Sequence, residues 1–138
     1  MEIEELVKKQ RAYFYTGKTR SCGFRLKALE RLEASIKRNE QEIQRALSSD
    51  LNKSSFESFM TEVGLTLSEL SYARKHLAKW MREQRVLTPL SQFHARSYVI
   101  PEPYGVALVM SPWNYPFMLC LEPLSGAVAA GNCCVLKP

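Results

Sequence analysis

The chain has 138 residues, 46% of them apolar and 24% charged, which is enough to bury a core and far from the composition of a disordered chain. Its net charge of +5 is spread among acidic residues rather than gathered in a block, and no reading motif accompanies it, so nucleic acid is not expected as a partner. Cys22, Cys120, Cys133 and Cys134 form no CxxC pair and no zinc spacing with His76 or His94, which points to reduced structural thiols and no metal site.

The N-terminus carries Glu2, Glu4 and Glu5, where a signal peptide needs a basic start followed by an apolar run. The first helix is predicted from Ile3, Leu6, Val7, Gln10 and Phe14, at three- and four-residue spacing, and should stop at Gly17. A second, long helix follows from about Ser21, with Phe24, Leu29, Leu32, Ile36, Ile43 and Leu47 on one face. Ser48, Ser49 and Asp50 loosen that pattern. Ser54 or Ser55 then caps a third helical stretch that runs past Val63, Leu67, Leu70 and Leu77 to about Met81. Residues 1–85 therefore read as helical.

Residues 86–101 change character. The alternation over 92–100, ended by Pro101, predicts an extended segment in need of a strand partner. Gly105 opens Val106, Ala107, Leu108, Val109 and Met110, an apolar run typical of a strand buried on both faces. Ser111, Pro112, Trp113, Asn114, Tyr115 and Pro116 form a loop, because the two prolines deny a regular helix or ladder. Helical spacing returns over 117–130, Gly131 supplies a left-handed stop, and Cys133, Cys134, Val135 and Leu136 make a second buried strand. Residues 102–138 thus predict one strand, crossover helix and strand, the seed of a doubly wound parallel sheet. The most apolar stretch, 106–136, is interrupted by Pro112, Asn114, Pro116, Glu122, Pro123 and Asn132, so no transmembrane segment is expected. A cytoplasmic protein is the simplest expectation.

Residue type alone leaves the loop open to plain readings. Asn114 serves a turn backbone, Trp113 is a core aromatic, Lys137 is a surface lysine, and Tyr115 and Leu119 are core. Three segments carry a resemblance beyond periodicity: Pro101-Glu102-Pro103-Tyr104-Gly105-Val106, Ser111-Pro112-Trp113-Asn114-Tyr115-Pro116, and Ala129-Ala130-Gly131-Asn132 through Leu136-Lys137-Pro138. Together they resemble the aldehyde dehydrogenase superfamily along the whole chain. The short N-terminus, the Arg-x-x-x-Leu pattern at Arg25 to Leu29, and WNYP in place of WNFP are similar to its class three and fatty-aldehyde branch.

The resemblance implies an α/β fold: N-terminal helices followed by the first part of a Rossmann-like cofactor-binding sheet, truncated. It implies that the Asn114 side-chain amide donates to the aldehyde oxygen as that oxygen becomes an oxyanion. It places Ser111, Pro112, Trp113 and Lys137 at the cofactor, NAD or NADP, and puts Glu62, Tyr115 and Leu119 on the wall of a substrate funnel. It pairs the extended segment in an oligomerisation sheet with distant C-terminal residues and implies a homodimeric parent. The family's nucleophilic cysteine and general-base glutamate have no counterpart here. Cys133 and Cys134 sit in a buried strand pattern that gives a thiol neither access nor a lowered pKa. The expectation is an N-terminal fragment of an enzyme that oxidises aldehydes to carboxylates, inactive and marginally folded by itself. The alternative is a non-catalytic truncated product, or an interaction module that pairs with a full-length subunit.

Overall fold

Serine caps fix where two of the helices begin. In the computed structural model, which describes residues 2–138, α1 (Ile3–Tyr15) is followed by Gly17 at φ 73°, a left-handed turn that glycine adopts without a steric cost. Helix α2 (Cys22–Arg38) opens at Ser21, whose hydroxyl accepts the Phe24 N–H at 3.2 Å. That bond satisfies one of the amides a helix start leaves unpaired.

The single long helix expected after Ser21 is two. Asn39, at φ −102° and ψ 13°, separates α2 from α3 (Glu40–Leu51), and its side-chain amide donates to the Ser35 carbonyl at 2.8 Å. Asparagine competes with the helix ladder in this way. Ile36 and Leu47 are buried on either side of the break, so the apolar spacing does not reveal it.

Helix α4 (Ser55–Ser58) starts at Ser54, whose hydroxyl accepts the Glu57 N–H at 3.1 Å. It passes through a π turn, Phe59–Val63, into α5 (Gly64–Trp80). The Gly64 N–H reaches the Phe59 carbonyl, and a Cβ on Gly64 would lie 2.8 Å from that oxygen; only glycine admits so close an approach. The wider turn adds one residue to the helix, and Glu62 and Val63 both end fully buried.

Beyond α5 the sequence reading needs two corrections. Strand β1 (Gln84–Val86) begins inside the stretch expected to be helical, and it pairs antiparallel with β2 (Ser97–Val99), Arg85 opposite Tyr98. The strand expected over 92–100 thus shrinks to three residues with a partner close by in sequence. Leu90–Gln92 takes a 3₁₀ turn instead, and the Thr88 hydroxyl accepts the Ser97 N–H at 3.1 Å. The alternation faces no core: Phe93 is 72% exposed.

The last third keeps its expected order of strand, helix and strand, but the strands are not buried on both faces: Leu108 is 61% and Met110 67% exposed, and only Val109 and Cys133 are buried. β3 (Val106–Met110) and β4 (Cys133–Lys137) pair in parallel across α6 (Pro116–Ala130), Val106 opposite Cys133 and Met110 opposite Lys137. Their register is pinned at Gly105, at φ 125°, which donates to Asn132 Oδ1 at 2.8 Å and accepts the Cys133 N–H at 2.8 Å. Helix α6 packs against α2 and α5 as well as against both strands, and α1 also touches both strands. Leu29, Leu70 and Leu77 are fully buried where the helices meet, each burial contributing about 2 kcal/mol.

Candidate active site

Two parallel strands end side by side, and the loop from Ser111 to Tyr115 leaves their carboxyl edge, where open α/β sheets bind ligands. The loop is tied to β4 at its start, where the Ser111 N–H donates to the Lys137 carbonyl at 3.1 Å. Pro112 and Pro116 restrict its backbone near both ends. Helix α6 begins at Pro116, and its N-cap residue Tyr115 offers no side-chain cap.

A residue from another helix supplies that cap. Glu62 Oε2 accepts the Phe117 N–H at 2.9 Å and the Met118 N–H at 3.2 Å, two of the amides a helix start leaves open. A carboxylate there also meets the positive end of the helix dipole. Its other oxygen, Oε1, receives Lys53 Nζ at 2.5 Å. The same ammonium donates to the Asn114 carbonyl at 3.3 Å and lies 4.1 Å from the centre of the Tyr115 ring, a cation–π distance. Lys53 is 8% exposed and Glu62 is 0% exposed, so both charges of the pair are withdrawn from water.

The residues singled out in the sequence fall into two groups. Asn114 stands exposed, and among the described residues its side-chain amide is committed to no loop backbone group, against the plain turn reading. Trp113 is 85% exposed rather than a core aromatic. Pro112 and Lys137 are exposed as well, whereas Ser111 is half-buried with its hydroxyl oxygen inaccessible and without a hydrogen-bond partner. The exposed polar groups at the strand ends, the Asn114 amide and the Lys137 ammonium, fit a site that takes a polar ligand. Tyr115 is partly exposed, Leu119 is half-buried on α6, and Glu62 offers no surface at all.

Lys53 was not singled out in the sequence. It lies in the Asn-Lys-Ser link between α3 and α4, nine residues before Glu62 and 61 before Asn114. No helical or strand spacing relates those positions.

The cysteines are free thiols. Burial pushes the Cys133 thiol up; burial, with Cys133 beside it, pushes Cys134 up to about 11. Both shifts oppose the thiolate that a nucleophile needs.

Residues 1–138 match the aldehyde dehydrogenase family profile throughout. The chain is 43% identical over 136 residues to 4,4'-diaponeurosporen-aldehyde dehydrogenase of Staphylococcus aureus, a match that covers 99% of this chain and 30% of that protein. It is 41% identical over 138 residues to the dog protein named "Aldehyde dehydrogenase, dimeric NADP-preferring", covering 99% of this chain and 30% of the relative. Its fold superposes on the substrate-bound Staphylococcus aureus AldH structure with a TM-score of 0.95 at 43% identity, covering all of this chain and 30% of that one. The chain therefore spans about 30% of the length of the relatives it matches. With a family match along its entire length and the same Rossmann-like backbone, this chain belongs to the aldehyde dehydrogenase family.

Proposed function

We propose that these residues form the N-terminal part of an NAD(P)-dependent aldehyde dehydrogenase and contribute an oxyanion donor and part of the cofactor cleft. One observation carries the reading: Asn114 presents an exposed, uncommitted amide on a loop held by its own backbone carbonyl at the carboxyl edge of the sheet. An amide fixed before the reaction donates to the aldehyde oxygen as negative charge develops there, which in comparable sites contributes about 3 kcal/mol to the transition state. The attacking thiolate and the general-base glutamate are contributed by residues other than these 138.

The cleft beside the loop is assigned to NAD or NADP, lined by backbone groups at Ser111, Pro112 and Trp113 and by Lys137. When bound, the dinucleotide supplies the hydride acceptor. The name of the dog relative favours NADP among similar proteins and motivates testing both cofactors. Tyr115 and Leu119 are assigned to the aldehyde entrance. Glu62 belongs beneath the loop rather than on a funnel wall, a reading supported by its complete burial. Aliphatic and aromatic aldehydes are the substrate class, in a cytoplasmic homodimer.

A second reading has its own observation. Leu87 and Leu90 are almost wholly in water and Phe93 largely so, the kind of apolar surface that marks association. It makes these 138 residues a module that pairs with a full-length subunit. Purified chain mixed with hexanal and NAD or NADP tests the first reading: no reduced cofactor is expected. Turnover that is abolished by C133A or C134A overturns it. In the whole enzyme, N114A is expected to lower kcat by about a hundredfold.

A further inference from the structure

We propose that Lys53 and Glu62 are positioning residues of the reaction: their buried ion pair sets where the Asn114 amide stands, and Glu62 does not touch substrate. The proposal rests on the reading of Asn114 as the oxyanion donor.

The geometry comes from three elements that meet at one point. Glu62 is brought in by the π turn before α5, and its carboxylate takes three donors: Lys53 Nζ at 2.5 Å, the Phe117 N–H at 2.9 Å and the Met118 N–H at 3.2 Å. Bound on three sides and fully buried, it has one place to be. It therefore fixes the first turn of α6, whose third and second residues supply those amides. Lys53 is fixed in turn by Glu62 on one side and the Tyr115 ring on the other. Its remaining donor reaches the Asn114 carbonyl. Among the described residues this is the one hydrogen bond made by any residue from Pro112 to Asn114. Among the described residues, the hydrogen bond on the peptide that carries the catalytic amide thus comes from one ammonium, itself held between the Glu62 carboxylate and the Tyr115 ring.

A plain structural role does not account for this arrangement. A buried ion pair is a weak source of stability, since the desolvation of two charges offsets most of their attraction. A cap for α6 needs only a neutral acceptor, such as a serine or asparagine at the N-cap. The charge on Lys53 finds a use in holding a carbonyl that has no other partner.

The test uses the whole enzyme that carries this segment, assayed with hexanal and its preferred dinucleotide. The K53M/E62Q double variant leaves no lone buried charge, keeps an acceptor for the α6 amides and is expected to melt close to the parent. Its kcat is expected to fall roughly tenfold to a hundredfold, the cost of a displaced catalytic group, while KM for hexanal stays nearly constant. Added to N114A, the same pair of changes is expected to cost little more, since a donor that is gone cannot be misplaced. E62D keeps both charges, shortens the reach by one methylene, and is expected to lose kcat in a folded enzyme; this reads the proposal even where the double variant fails to fold. An unchanged kcat in K53M/E62Q or in E62D overturns the proposal, as does a loss that multiplies in full with that of N114A. A raised KM with an intact kcat also overturns it and returns Glu62 to the funnel wall. Full activity in N114A itself defeats the oxyanion reading, and the positioning role with it, whereas N114A inactive beside an unaffected pair defeats the positioning role alone.

Discussion

Gly131 ends α6 against the guanidinium of Arg25, so close that a Cβ on the glycine would overlap Nη2. The glycine also sits at φ 90°, in the left-handed region where other residues are strained. Arg25 is buried with no carboxylate partner among the described residues. It donates from Nε to the Thr19 carbonyl at 2.8 Å and from Nη1 to the Ala129 carbonyl at 3.2 Å, a cation placed at the negative end of the α6 dipole. Burial lowers its pKa.

Changing Gly131 to alanine is therefore expected to cost at least about 2 kcal/mol, from backbone strain and a displaced arginine together. Urea unfolding of G131A, alone and combined with R25Q, checks this. The double variant should recover part of the loss, because the steric component needs the guanidinium; strictly additive losses would show that Arg25 plays no part.

Cys134, with its thiol near 11, holds about a thousandth of its population as thiolate at pH 8, and Cys133 is shifted in the same direction by burial. Native protein treated with iodoacetamide at pH 8 is expected to leave both unmodified, and denatured protein to react at both. Mass spectrometry of the peptide that contains them reads the result. Rapid native labelling at either position would reopen it as a nucleophile.

Glu33 and Glu122 should respond to pH in opposite senses. The Glu33 carboxyl is held below the usual range, first by Lys37, 2.6 Å away, and also by Arg74, which it bonds across the contact between α2 and α5. A depressed carboxylate adds stability above its unfolded pKa and loses it as pH falls through the folded value. E33Q is expected to cost about 1 kcal/mol at pH 7 and almost nothing once acid has protonated the native glutamate. Denaturant melts at several pH values check it; a loss that persists unchanged into acid would remove the charge from the explanation.

Glu122 is raised instead, chiefly by burial and then by Glu69. A raised carboxyl favours its protonated form in the folded state, so its ionisation costs stability as pH climbs from the ordinary glutamate range through the folded value. E122Q is expected to melt a few degrees higher at pH 7, with the gain fading in acid where both states are protonated. A lower melting temperature at pH 7 would mean that the carboxylate has a favourable partner.

Local spacing in the chain carries much of the fold. The helical stripes, the Ser21 and Ser54 caps, the two parallel strands on either side of α6 and the stop at Gly131 all follow from residues a few positions apart. The loop motif around Asn114 was legible as a resemblance, and its family is now shown. The break at Asn39 was hidden because apolar positions continue in phase across it. The strand over 92–100 was overread because alternation signals a buried face only when something is there to bury it. Only the tertiary structure brought Lys53, Glu62 and Asn114 together. A salt bridge between a loop and a π turn, ending on a backbone carbonyl 61 residues away, has no period in the chain. The contact exists because α5 and α6 pack around one core, and that packing, rather than any motif, decides which charges are buried beside the loop.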